Sequence, residues 1–211
     1  MTPLQRGATP PTTLLFDLSE VLIAGLRGVE KVLAPRLELP EDEILRKLGG
    51  ETLRRLCRGE TTEGVYLRDV AVELGGAPEP AELREFARTN FHYEIPGMPD
   101  LVRRLEGAVD LVLVSDHARE WIAYVEGVHP FLDLFERRVY SFETGLLKHE
   151  PGAFDEILRR IGRTADACLF IDDNPRNVAA AEAAGLRAVC FEEREALEVR
   201  LRELGVRIPP G

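Results

Sequence analysis

The chain has 211 residues, with 37 Asp and Glu against 27 Lys and Arg, a formal net charge of -10 at pH 7. That balance, with no long run of Lys and Arg, excludes a nucleic-acid-binding surface, and no apolar run reaches transmembrane length. The length suits one domain with an insertion, or two small ones, and three scattered cysteines (Cys57, Cys168, Cys190) without a signal-peptide pattern predict a soluble cytoplasmic protein.

Pro3, Pro10 and Pro11 mark residues 1–11 as a flexible tail. Leu14 to Leu22 is an apolar run interrupted by Asp17 and then by Ser19 and Glu20. It reads as a buried parallel strand with a carboxylate at its end, since an unpaired charge inside would be costly. Residues 26–95 show helical spacing (Leu45 and Leu48, Leu53 and Leu56, Val70 and Leu74, Leu83 and Phe86), broken at Pro40, Gly49-Gly50, Gly59, Gly75-Gly76 and Pro78 to Pro80. This predicts a helical insertion. From Pro96 the pattern alternates. Strands are predicted at Val109–Val114, near Val139–Ser141, at Cys168–Ile171 and at Ala188–Phe191, with Pro151 in the first turn of one intervening helix. The expected fold is α/β, a Rossmann-like parallel sheet over 12–25 and 96–211 carrying the helical insertion 26–95.

Parallel strands place their carboxyl ends on one edge, where ligands bind. Asp17, Ser115-Asp116 and Asp172-Asp173 fall at such ends, with Lys148 in a loop before a helix. Each has an ordinary alternative, a turn or helix cap or a solvated lysine. Together, three carboxylates repel one another unless a cation lies among them, and oxygen-only ligands suit Mg²⁺. A Lys and a Ser beside that ion suit phosphate oxygens, and a free carboxylate can attack phosphorus.

The motif order resembles the haloacid dehalogenase-like hydrolase superfamily. It runs Phe16-Asp17-Leu18-Ser19-Glu20-Val21-Leu22, Leu113-Val114-Ser115-Asp116, Lys148-His149-Glu150-Pro151 with Phe154, and Phe170-Ile171-Asp172-Asp173-Asn174. The insertion resembles that superfamily's C1-type cap. Arg58-Gly59-Glu60-Thr61-Thr62 and the Asp-Asp-Asn ending look most like a subgroup with bacterial sugar-1-phosphate phosphatases and the phosphatase domain of soluble epoxide hydrolase. The resemblance implies a Mg²⁺-dependent phosphatase acting on a small-molecule phosphate ester, a sugar phosphate among the options. Asp17 would be nucleophile and metal ligand, with the Ser19 carbonyl, Asp173 and Asp172 completing the metal set. Ser115, the Asp116 backbone and Lys148 would hold phosphate, with Asn174 and Asn177 supporting. No nucleic acid or membrane partner is expected, and nothing in the chain fixes an oligomeric state.

One position departs from the pattern. Such phosphatases usually carry an acid/base Asp two residues after the nucleophile, where this chain has Ser19. Strand alternation would point Glu20 to the other face, leaving His117 and His149 as substitutes. Two rivals follow: a 2-haloacid dehalogenase, which Asp172-Asp173 speaks against, and a metal- or phosphate-binding remnant, which Ser19 favours. The cap residues Arg54, Arg55, Arg58, Tyr66, His92 and Tyr93 do not spell out a substrate.

Overall fold

A computed structural model describes residues 9–210. β1 (Thr13–Phe16) is buried at every position. Leu14 and Phe16 join one hydrophobic cluster and Leu15 another, as a strand covered on both faces requires. Five helices follow: α1 (Val29–Leu37), α2 (Glu41–Gly49), α3 (Glu51–Cys57), α4 (Glu63–Glu73) and α5 (Pro80–Phe91). Their ends fall at the proline and glycine breaks. Pro40 precedes α2, Gly50 separates α2 from α3, and Pro80 opens α5.

The alternating part then runs α6 (Met98–Leu105), β2 (Asp110–Ser115), α7 (Arg119–Val128), β3 (Arg137–Tyr140), the single turn α8 (Ser141–Thr144), α9 (Ala153–Ile161), β4 (Cys168–Asp172), α10 (Pro175–Ala183), β5 (Arg187–Cys190) and α11 (Arg194–Glu203). The sheet is parallel throughout, in the order β3-β2-β1-β4-β5. Leu101, Val102 and Leu105 of α6, Ile122 and Val125 of α7, and Leu197 and Leu201 of α11 cover the Leu14 and Phe16 face. Phe154, Ile157 and Ile161 of α9 with Ala181 of α10 cover the face of Leu15, Val112 and Phe170. This is the Rossmann-like α/β arrangement. The chain winds outward through β2 and β3, then crosses β1 to β4 and β5, so the strand order reverses beside β1. A crevice opens at such a reversal.

Three local expectations differ from the structure. Pro151 lies in the turn before α9, whose N-cap is Gly152 at φ 82. Ser141 opens α8 instead of ending β3. Most of the expected tail lies outside the described residues, but its last part is held. Pro11 is buried, Arg187 donates to the Thr9 carbonyl, and the Thr12 N–H donates to the Ala167 carbonyl at 3.0 Å.

The end of α3 is fastened to α8. Ser141 Oγ donates to the Cys57 carbonyl at 2.6 Å. Gly59, at φ +74, sits where an added Cβ would lie 2.8 Å from the Phe142 carbonyl oxygen. Gly145 has nearly the same backbone angle, φ +73, with open space around it. Gly145→Ala should therefore cost only the left-handed penalty of about 1–2 kcal/mol, and Gly59→Ala clearly more. Urea unfolding of both variants checks this, and equal losses would mean that the Phe142 contact relaxes freely.

Candidate active site

Phe16 pairs with Leu113 on one side and Ile171 on the other. The Asp17 N–H extends the ladder, donating to the Ile171 carbonyl at 2.9 Å. In-register neighbours of parallel strands point the same way, so Asp17 lies beside Asp172. Lys148, 3% exposed, reaches this pair from the loop between α8 and α9. Its Nζ is 2.6 Å from Asp17 Oδ1 and 2.6 Å from Asp172 Oδ2. Asp17 Oδ1 also accepts from the Leu18 N–H at 2.7 Å, while Oδ2 has no hydrogen-bond partner among the described residues. Asp172 is fully buried and fully engaged, accepting from the Asn174 N–H at 2.8 Å and from Asn177 Nδ2 at 3.1 and 3.0 Å. Asp173 is half-buried and faces Arg27, whose Nη1 lies 3.3 Å away on an exposed side chain.

The charges do not balance. Burial opposes an ammonium, yet Asp17, Asp172 and Asp116 together raise the Lys148 pKa, so it stays charged. Burial pushes the Asp17 carboxyl well above its usual range, with Lys148 opposing and Asp172 adding to the rise. Burial and then Asp172 raise Asp173 in the same way, and burial lifts Asp116 to about 6. Crowded carboxylates with one buried cation would be relieved by another cation. One ligand atom each from Asp17, Asp172 and Asp173 lies within 4.8 Å of the others. An oxygen-only set of this kind fits a hard divalent ion such as Mg²⁺.

Around this centre, Ser115 Oγ and Asn177 Oδ1 are buried with no hydrogen-bond partner among the described residues. The Asp116 carboxylate accepts from the Lys148 backbone N–H at 3.0 and 3.2 Å. The Asn174 side chain caps α10 through the Arg176 N–H. Neither Ser115 nor Asp116 caps the next helix, whose N-cap is Ala118. A cleft of about 330 Å³ covers the site, lined by Asp17, Ser19, Asp116, Lys148, Asp173 and both asparagines on the sheet side.

A model of the haloacid dehalogenase-like hydrolase family matches residues 11–185. The chain belongs to that family. Flavin mononucleotide hydrolase 1 of Arabidopsis thaliana is 26% identical over 126 residues, 60% of this chain and 51% of its own length. The chain thus matches about half the length of that relative. A haloacid dehalogenase family enzyme from Bacteroides thetaiotaomicron, solved with magnesium and inorganic phosphate, superimposes with a TM-score of 0.70 at 20% identity, covering 89% of this chain and 98% of that one. The L-2-haloacid dehalogenase of Xanthobacter autotrophicus gives 0.66 at 18% identity, covering 95% and 85%. These two likenesses concern the fold.

Several side chains of this haloacid dehalogenase-like hydrolase sit otherwise than expected. Glu20 lines the cleft, because β1 ends at Phe16 and strand alternation no longer applies. Its backbone is left-handed at φ 62, and its carboxylate accepts from the Gly25 N–H at 2.9 Å. His117 is buried against Phe91 and Trp121, and its Nδ1 accepts from the Ala118 N–H at 3.1 Å. Burial lowers its pKa to about 4, so it is a neutral imidazole near pH 7. His149 is half-buried, and burial lowers its pKa too.

The motif residue Glu150 and the cap residue Arg58 form a link that neither stretch of sequence signals. Arg58 Nε lies 3.1 and 3.3 Å from the two Glu150 oxygens, and its Nη2 bonds the same carboxylate. Glu150 Oε2 in turn accepts from the Leu147 N–H at 2.8 Å. The two residues lie 92 positions apart, so only the fold could reveal the link. It ties α3 to the loop carrying Lys148.

His117 supplies a pH signature. In the unfolded chain it titrates near 6.5, but in the folded protein only near 4. Between those values the unfolded state binds the extra proton, so His117 lowers stability as pH falls from about 6.5 to 4. Asp116, raised by folding, contributes with the opposite sign. Comparing wild type with His117→Asn in urea unfolding across this range isolates the histidine. The variant should lose less stability on acidification, and identical pH profiles would contradict the buried neutral assignment.

Proposed function

We propose that this hydrolase is a Mg²⁺-dependent phosphatase that cleaves a small phosphate monoester through an aspartyl-phosphate on Asp17. The observation that carries the reading is Lys148 Nζ at 2.6 Å from both Asp17 and Asp172 on the carboxyl edge of the sheet. The Arabidopsis relative, named for hydrolysing flavin mononucleotide, supports a phosphate ester as substrate. Residues 26–95 are taken as the cap. The three free cysteines fit a reducing compartment such as the cytoplasm.

Asp17 Oδ2, free of partners, attacks phosphorus; the phosphorus–oxygen bond to the alcohol breaks, and the leaving oxygen departs as an alkoxide that takes its proton from water. Water then attacks the aspartyl-phosphate, releasing inorganic phosphate and restoring the carboxylate. Lys148 opposes the rise in the Asp17 pKa that burial causes and offers fixed positive charge to the phosphoryl oxygens, and the Ser115 hydroxyl and the Asp116 backbone hold the same group. Asp17, Asp173 and the Ser19 carbonyl would hold Mg²⁺, which when bound neutralises phosphate charge. Asp172, with its oxygens engaged, anchors Lys148 and supports the ion at one remove.

Dehalogenation is the weaker reading. A halocarboxylate substrate is itself an anion, and the carboxylates of Asp172 and Asp173 would repel it without an intervening cation. The binding-remnant reading rests on Ser19 alone.

Asp17→Asn should lower turnover by about 10³-fold or more, since an amide is a poor nucleophile. Asp173→Asn should weaken Mg²⁺ binding at least about tenfold by calorimetry. Substantial single-turnover activity in the first variant would remove the covalent step, and unchanged Mg²⁺ affinity in the second would remove the metal assignment. Wild type that binds Mg²⁺ and phosphate yet turns over no ester would favour the remnant.

The Arg58 link generates a separate test. Loosening the Lys148 loop should cost kcat about 10–100-fold for a displacement near 1 Å, with little change in KM. Arg58→Ala and Glu150→Gln should show the same kcat defect, and the double variant should be no worse than either. Additive losses would mean that the two residues act independently.

A further inference from the structure

We infer, on the phosphatase reading above, that the alcohol half of the substrate is apolar, an aryl or short alkyl group instead of a sugar. The cleft has two unlike sides. Opposite the charged edge its wall is Leu26, Leu45, Leu48, Leu53, Phe91 and Trp121. Leu26, Leu45 and Leu53 are only half-buried, so they present apolar surface to whatever enters. Among the lining side chains from residues 26–95, Arg27 is the one that carries charge, and it faces Asp173.

Two polar groups of the wall are already used, while His117, which lines the cleft against Phe91 and Trp121, keeps its Nε2 without a hydrogen-bond partner among the described residues. The Trp121 indole N–H donates to Glu63 Oε1 at 3.0 Å, turning the donor away from a ligand. The Tyr66 hydroxyl behind the wall donates to the Leu48 carbonyl at 2.7 Å. A sugar entering here would exchange water mostly for leucine at its hydroxyls, with His117 Nε2 able to replace one hydrogen bond and the others unreplaced. An apolar group gains burial instead. Ser19 favours the aryl case separately. It cannot serve as the acid that protonates the leaving oxygen, and a leaving group such as a phenolate needs that proton least.

The test is a series of straight-chain alkyl phosphates from ethyl to pentyl, which share a leaving-group chemistry and differ in apolar length. With Mg²⁺, kcat/KM should climb up to about fourfold per methylene until the wall is covered, and ethyl phosphate should already match or exceed glucose 6-phosphate. Leu45→Asn and Leu53→Asn, both at half-buried positions, should each flatten the climb. Trp121 is the chain's single tryptophan, which gives a readout free of turnover. Its fluorescence should report tighter binding of benzylphosphonate than of inorganic phosphate or glucose 6-phosphate.

A flat alkyl series, or a preference for glucose 6-phosphate, would overturn the inference and leave the phosphatase reading standing. If no ester is cleaved, the phosphatase reading fails. The fluorescence titration then decides the wall alone, with equal affinity for benzylphosphonate and inorganic phosphate counting against it.

Discussion

One buried ammonium held between two carboxylates sets the terms for the rest of this molecule. Lys148 lies 2.6 Å from both Asp17 and Asp172, and all three are nearly or wholly shielded from water. Such an arrangement is stable only as a whole, because removing one partner from a buried pair costs about 3–5 kcal/mol. Each partner comes from a different part of the chain. The register of β1 against β4 sets Asp17 beside Asp172, and the loop before α9 brings the lysine across to them. The first turn of α10 adds Asn177, which occupies the remaining sites on Asp172. Asp116 closes the circuit by accepting from the Lys148 backbone. The geometry of the fold and that of the site are therefore one constraint.

That constraint also separates the three acids chemically. Asp172 has no exposed surface and both oxygens bonded, so it serves best as an anchor. Asp17 has one oxygen tied to Leu18 and Lys148 and the other without a hydrogen-bond partner among the described residues, which suits the nucleophile proposed for it. Asp173 is only half-buried and meets an exposed arginine, an easily displaced partner. Three identical side chains thus acquire three roles from their surroundings.

Much of this was legible in the sequence, for a physical reason. Buried parallel strands are near-continuous apolar runs, and a polar residue ending such a run marks the one edge where ends meet. Asp17, Ser115 and Asp172 follow from that rule alone. What escaped depends on where regularity stops. Glu20 reaches the cleft because β1 ends at Phe16 and the backbone turns left-handed, so period-two alternation gives the wrong face. Arg58 and Glu150 meet across 92 residues, a separation no local pattern spans. His117 reads as a plausible acid until Phe91 and Trp121 are seen to bury it as a neutral ring. Pro151 has a good first-turn composition, but Gly152 at φ 82 delays the helix to Ala153.

On the phosphatase reading, Ser19 and the apolar wall bear on the same barrier. A positioned general acid is worth roughly 10²–10⁴ in rate. A phenolic oxygen titrates near 10, whereas an alkanol resembles water, near 16. If about half of that gap appeared in the rate, it would supply about 10³, comparable to the lost acid. Leucine and aromatic side chains beside the phosphoryl group would also lower the local dielectric through which the fixed charge of Lys148 acts. Ser19, Leu45, Leu48 and Leu53, all lining the cleft, would thus shift the work from proton transfer to electrostatics. Such a site favours leaving groups that carry their own negative charge well.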